Sequence, residues 1–142
     1  YKLPIPKVTG SEYDFSFSGL KTAVINLAHN AEQKGETLDS DSLAASFQKT
    51  ASEMLVSRTV EAAKAYGYKT VAVAGGVSAN SGVRALMEKE CGKRGIKVYL
   101  PPLDLCGDNG AMIACQGYYD FLDGKRADES LNAIATLSLE DI

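Results

Sequence analysis

The stretch Val71-Ala72-Val73-Ala74-Gly75-Gly76-Val77-Ser78-Ala79-Asn80 decides how the rest of the chain is read. From Thr70 to Ala74 the residues are small, apolar and rich in valine, the pattern of a short strand covered on both faces in a parallel sheet. Two glycines then end the strand. A helix follows at once, from about Ala79 to Lys93, with Val83, Leu86, Met87 and Glu90 in helical spacing and Gly95 after it. A strand that turns into a helix in this way aims unpaired N–H groups and the positive end of the helix dipole at the mouth of the sheet. Gly75 and Gly76 let a phosphate or ribose approach with no Cβ in the way, and the Asn80 amide can both donate to and accept from such a group. The same residues also read as a plain tight turn and a capping asparagine. The spacing leaves both readings open.

Working outward, Lys97–Leu100 is a second strand stopped by Pro101-Pro102, and a last helix runs from Asp108 or Asn109 to Leu122, before Gly124. Strand, helix, strand, helix predicts parallel strands joined by right-handed crossovers, an α/β fold that is rich in helix. Upstream, Asp39 or Ser40 caps a long helix to about Tyr66. Its expected buried side is Leu43, Phe47, Ala51, Met54, Leu55 and Ala62, and Gly67 closes it. An earlier helix opens at Ser18 or Gly19, carries Leu20, Val24, Leu27 and Ala28 on one face and ends at Gly35. Asp14–Ser18 alternates aromatic and small polar residues, as a short strand or an anchored loop does. The first dozen residues read as an extended lead-in, and the tail from Lys125 carries little pattern.

A second constellation lies in Pro101-Pro102-Leu103-Asp104-Leu105-Cys106-Gly107-Asp108-Asn109-Gly110, where a strand again ends in a loop and a carboxylate stands at the start of a helix. Asp108 reads as an N-cap or as an oxygen ligand for a metal beside a phosphate site, since both loops leave the same edge of parallel strands. Asp104 reads as a solvated loop residue, and Cys106 and Cys115 as small buried apolar groups. His29, the sole histidine, sits on an amphipathic helix and reads as a surface residue. With one histidine the chain holds no HxxH, HxxxH or HExxH clasp, so a metal at Asp108 draws its other ligands from elsewhere.

Composition narrows the classes. A chain of 142 residues, 45% hydrophobic and 23% charged, matches one ordinary globular domain with one core. A net charge of -3 excludes a broad basic face for nucleic acid, so any such contact is local or comes from a partner. The three cysteines include no CxxC pair, which argues against a disulfide framework or zinc finger and fits a reducing cytoplasm. No apolar run reaches the roughly 20 residues of a membrane span. Tyr1 to Pro6, without an initiating Met, reads as part of a longer chain.

Three strings carry a resemblance: FSFSGLKTAV (Phe15–Val24), AGGVSAN (Ala74–Asn80) and CGDNGAMIA (Cys106–Ala114). In this order they resemble the carboxyl-terminal part of the tRNA threonylcarbamoyladenosine transferase family, TsaD, once labelled an O-sialoglycoprotein endopeptidase. The likeness runs from about Asp14 to Leu122. It implies part of the second lobe of an actin-like, sugar-kinase-like ATPase fold, so that residues 1–142 form one lobe fragment without the amino-terminal lobe. It also implies transfer of a threonylcarbamoyl group from threonylcarbamoyl-adenylate to N6 of the adenosine next to the anticodon, in tRNAs reading codons that begin with A. By that resemblance Asn80 contacts the adenylate or ATP, Gly75 and Gly76 form the phosphate-side turn, and Asp108 is a catalytic ligand of a divalent metal, iron or zinc. The implied partners are tRNA, a paralogous TsaB-like subunit and a small TsaE-like ATPase.

The family's histidine pair and further substrate contacts would lie upstream of Tyr1, so the expectation for the piece alone is no activity. An apolar surface left by the missing strands would favour self-association. Two other functions share some of these features. A metalloendopeptidase needs a general base beside a metal-bound water, and none stands at recognisable spacing. A non-catalytic nucleotide-binding module would depend on Asn80 and tolerate loss of Asp108.

Overall fold

The computed structural model describes residues 1–6, 8–10, 12–134 and 136. Within the alternating segment the hydroxyl of Ser16 decides the local structure. It accepts from Gly19 N at 3.4 Å and so caps helix α1, Phe17–Gln33. The expected strand or anchored loop over Asp14–Ser18 is therefore an irregular stretch that runs into a helix earlier than Ser18. A capped N–H outweighs a short alternation that has no strand to pair with. The buried residues of α1 are Leu20 and Ala31, while Val24 and Leu27 are half-buried and Ala28 is exposed.

Helix α2, Ser40–Ala65, starts at the Asp39 cap, whose carboxylate accepts from Asp41 N at 3.2 Å and from the Ser42 hydroxyl. It ends as expected, with Gly67 at φ 73 just past the Tyr66 cap. The lead-in is tied to its first turns: the Tyr1 amino group donates to Ser46 Oγ at 2.7 Å, and Asp39 N donates to the Tyr1 hydroxyl at 3.0 Å.

The buried side of α2 differs from the expected one. Thr50, Ser52, Met54, Val56, Val60 and Ala63 are buried, so of the expected set only Met54 is fully covered. Phe47 remains 38% exposed. The helix is apolar on two flanks. The tertiary partners cover the flank of Val56 and Val60, one step round the helix from Leu55 and Ala62.

Those partners are strand β1 (Thr70–Ala72), helix α3 (Ser81–Gly92) and strand β2 (Lys97–Tyr99). The strands are parallel, in the register Thr70↔Lys97, Val71↔Val98, Ala72↔Tyr99, and α3 is the crossover between them. Val73 N extends the ladder to Tyr99 O at 3.0 Å. Val56, Val60 and Ala63 of α2, Met87 and Cys91 of α3, and Ile96 form the core, with Val71, Val73, Leu86 and Val98 packed against it. Coverage on both faces is not observed. Thr70, Ala72, Lys97 and Tyr99 are exposed because side chains alternate along a strand and α2 and α3 cover one face only. Replacing Met87, 4% exposed at the centre of this core, by alanine is expected to cost about 2–5 kcal/mol in equilibrium urea unfolding.

At the end of α3, Glu90 pairs with Lys93 Nζ at 2.7 Å and Arg94 Nη1 at 2.8 Å, and the two hydrogen-bonded cations hold its carboxyl at about 2, against an ordinary 4.5. A depressed carboxylate stabilises the fold above its unfolded value and stops doing so as pH falls through the folded one. Urea midpoints are therefore expected to fall between pH 4.5 and about 2 more steeply in the native chain than in Glu90→Gln. The difference should shrink in about 1 M salt, because these charges are partly exposed.

Two compact units are present, Tyr1–Gly107 and Asp108–Ile142, and the core just described lies in the first. The second holds helix α4, Gly110–Leu122, capped by Asn109, whose side chain accepts from Met112 N at 3.0 Å. No residue of α4 is buried, and Met112, Ile113, Tyr118 and Phe121 are exposed. Among the described residues, no helix is long and apolar enough to cross a membrane.

Candidate functional site

Because β1 and β2 are parallel, the loops that follow them leave the same edge of the sheet. In the first loop, Gly75 has φ 82 and ψ 168, a backbone that a residue with a Cβ rarely adopts. A 3₁₀ turn, Gly76–Ala79, comes next, closed by Ser78 N to Gly75 O at 2.9 Å and Asn80 N to Val77 O at 3.0 Å. Helix α3 thus begins at Ser81, two residues later than Ala79, because the chain first completes this tighter turn. Asn80 is its cap, with Oδ1 accepting from Val83 N at 3.1 Å. The capping role is real, and it uses only the oxygen of the amide.

Gly76 is different from Gly75. Its φ is not positive, and a Cβ built on it would meet nothing within 4 Å. The chain itself does not require glycine there. The turn is exposed at Gly75, Gly76 and Val77, and the first N–H groups of a turn and of a helix have no partner inside it.

Beside the turn lies an open groove of about 610 Å³, lined by Phe17, Lys21, Phe47, Leu55, Val77 and Asn80 among others. This is where the second apolar flank of α2 goes, which explains why Phe47 and Leu55 are not in the core. One end of the groove is polar. A Cβ at Gly82 would lie 3.0 Å from Gln48 Nε2, 3.2 Å from Asn80 Oδ1 and 3.4 Å from Ser52 Oγ, so these atoms gather around one point. Ser52 and Ser78 are buried, and neither hydroxyl has a hydrogen-bond partner among the described residues.

Sequence reasoning missed Gln48, Ser52 and Arg84. Arg84 donates from Nη1 to Ser78 O at 2.9 Å and Pro101 O at 3.0 Å, with Cys106 Sγ at 3.9 Å. An arginine four residues beyond a capping asparagine was the available signal.

In the second loop, Leu103–Leu105 forms another 3₁₀ turn. Cys106 is buried, as expected, and donates from Sγ to Pro102 O at 3.4 Å. Cys115 is exposed, contrary to expectation, because α4 has no buried face. Burial pushes the Cys91 thiol up, consistent with an inert core group. His29 is a surface residue, 4.0 Å from Glu32.

Asp108 opens the second unit and is exposed. Of the two expected caps for α4, Asn109 takes the role and Asp108 does not. No group of three or more His, Cys, Asp or Glu side chains suited to a metal occurs among the described residues.

A parallel strand pair joined by a crossover helix, with a glycine turn at the edge where the first strand ends, puts the chain in the α/β class. Comparison with known proteins narrows the class. The family model described as "TsaD: tRNA N6-adenosine threonylcarbamoyltransferase" matches residues 1–115, and the chain belongs to that family. A tRNA N6-adenosine threonylcarbamoyltransferase of Geobacillus thermodenitrificans is 49% identical over 138 residues, which are 96% of this chain and 40% of that protein. Its counterpart in Bacillus cereus strain ATCC 14579 is 48% identical over 139 residues, 97% of this chain and 40% of that protein. The Listeria welshimeri counterpart is 45% identical over 144 residues, covering all of this chain and 42% of that protein. The chain thus spans about two-fifths of the length of these relatives. A helix-rich α/β unit with a parallel strand pair agrees with part of an actin-like lobe.

Proposed function

We propose that this chain is the carboxyl-terminal part of a tRNA N6-adenosine threonylcarbamoyltransferase, that it forms one lobe fragment, and that it is inactive without the rest. The substrate would be threonylcarbamoyl-adenylate or ATP, the acceptor N6 of the adenosine next to the anticodon, and the setting cytoplasmic. Membership of the family supports the reaction class, and the relatives carry that name. The observation that carries the nucleotide role is the exposed turn at Gly76, a glycine that nothing inside the chain requires.

In this reading Gly75 supplies the backbone angle, Gly76 leaves room for a phosphate, and the N–H groups of the turn and of α3 face it. The Asn80 oxygen holds the cap while its NH₂ group donates to the nucleotide. The neighbouring groove is apolar along its walls and polar near Gln48 and Ser52, the distribution a base with hydrogen-bonding edges needs. Holding the adenylate in this way makes attack by the adenosine amine effectively intramolecular.

Asp108 is proposed as one oxygen ligand of a divalent metal, iron or zinc, whose other ligands lie outside the described residues. When bound, such a metal would act as a Lewis acid on a carbonyl oxygen. The negative chain offers no broad basic face, so tRNA would be held by the remainder of the protein and by partners, a paralogous subunit and a small ATPase. The apolar residues exposed on α4 are the proposed surface for self-association of the piece.

The test is Gly76→Ala in the full-length protein. Unfolding free energy should move by no more than about 0.5 kcal/mol. The dissociation constant for ATP, measured by calorimetry, should rise about tenfold or more as the methyl group enters the phosphate space. Unchanged affinity would remove the turn from the site.

A further inference from the structure

Arg84 occupies the first turn of α3 and is half-buried. One of its nitrogens, Nη1, reaches two backbone carbonyls that belong to different loops. Ser78 O, at 2.9 Å, lies in the 3₁₀ turn after β1, and Pro101 O, at 3.0 Å, lies in the segment that leaves β2. Cys106 Sγ, at 3.9 Å, sits on the same side and is itself tied back to Pro102 O at 3.4 Å. All of these residues are in the first unit.

Each loop is closed by turn bonds of its own, in the second Leu105 N to Pro102 O at 3.0 Å and Cys106 N to Leu103 O at 3.4 Å. The turn after β1 is closed by the bonds from Ser78 N and Asn80 N, and Ser78 is 1% exposed with its hydroxyl unpartnered. A carbonyl withdrawn from water needs a donor, and a charged donor makes a shorter and stronger bond than a neutral one. Both bonds leave the one NH₂ group, whose two hydrogens the planar guanidinium holds in fixed directions, and a lysine ammonium that turns freely on a flexible stem holds the two carbonyls less firmly.

We propose that Arg84 is a positioning residue: it clamps the glycine turn against the loop leaving β2 and so fixes the backbone N–H groups that receive the nucleotide. This rests on the reading of Gly75, Gly76 and Asn80 given above. Arg84 acts through the two carbonyls and does not touch the substrate. Its removal lets the Gly76–Asn80 backbone move, and a misplacement on the order of 1 Å in such a site costs about 100-fold in rate.

The experiment uses the full-length protein with Arg84→Lys, Arg84→Ala and, as reference, Asn80→Asp. Two quantities are read: kcat and KM for threonylcarbamoyl transfer, and backbone hydrogen exchange of the nucleotide-free protein. The proposal expects faster exchange at Ser78, Asn80, Leu105 and Cys106 in both Arg84 variants, with exchange at Val56, Val60 and Met87 unchanged. It also expects kcat/KM for threonylcarbamoyl transfer to fall about 100-fold, with KM for the adenylate about tenfold higher or more. Added guanidinium ion should restore part of the affinity of Arg84→Ala and none of that of Asn80→Asp.

Loops that stay protected in both variants, or core amides that speed up together with the loops, would overturn the clamp. If Arg84→Ala does not fold, Arg84→Lys carries the test alone. A lysine variant with native exchange and native KM would also overturn it. If the Arg84 variants behave like the native protein while Asn80→Asp loses affinity, the clamp is wrong and the nucleotide reading stands. If Asn80→Asp also keeps native affinity, the nucleotide reading itself fails.

Discussion

Replacing Asp108 by alanine in the full-length protein is expected to abolish threonylcarbamoyladenosine in bulk tRNA while leaving the protein folded and abundant. Two observations make this a clean experiment. Asp108 is exposed, and the cap of α4 is Asn109, whose side chain accepts from Met112 N at 3.0 Å. Loss of the Asp108 carboxylate therefore removes no hydrogen bond on which α4 depends, and the unfolding free energy should change by no more than about 0.5 kcal/mol.

The companion variant Asn109→Ala should behave in the opposite way. It loses about 1 kcal/mol of stability with the cap and keeps activity, apart from what fraying of α4 removes. Nucleoside mass spectrometry of cells that depend on each variant reads the modification, urea unfolding reads the stability, and metal content per purified protein reads the ligand role. A modification level that survives in Asp108→Ala, with metal content unchanged, would withdraw the ligand role. A level that vanishes together with the metal would support it and would set aside the non-catalytic module, which has no use for Asp108.

The second large effect is expected at Asn80, where two roles share one side chain. The oxygen caps α3 by accepting from Val83 N at 3.1 Å, and the NH₂ group is proposed to meet the nucleotide. Asn80→Asp keeps the acceptor and adds a charge that the helix N-terminus favours, so stability should be equal to or above that of the native protein. The same change removes the donor and sets a negative charge against the phosphate. Affinity for ATP should fall about 100-fold, corresponding to about 2.7 kcal/mol, at the upper end for a hydrogen bond to a charged group. Asn80→Ala should lose the affinity and, in addition, about 1 kcal/mol of stability with the cap. Calorimetric titration and thermal unfolding of the two variants separate the roles. Equal affinity in Asn80→Asp and the native protein would leave Asn80 as a cap alone.

Much of the local structure was legible because it is decided by neighbours in sequence. The ends of α2 followed from Asp39 and Gly67, the parallel order of β1 and β2 from the helix between them, and the glycine turn from VAVAGGVSAN itself. Two boundaries were misplaced for local reasons of a finer kind. Ser16 caps α1 ahead of Ser18, and a 3₁₀ turn delays α3 to Ser81. The candidate residues Gly75, Gly76 and Asn80 were visible at the outset. Arg84, Gln48 and Ser52 were not, since what marks them is proximity to residues far away in the sequence.

By itself the sequence determined the helices, the parallel strand order, the glycine turn and the family, because caps, breaks and periodicity act over a few residues and the motifs lie in order along the chain. The tertiary structure decided which flank of α2 is core and which faces the groove, because the helix is apolar on both and only the placement of α3 and the sheet covers one of them. It also decided that one arginine joins two loops whose carbonyls are 23 residues apart, Ser78 and Pro101. These are contests between near-equal local choices, and long-range contacts settle them.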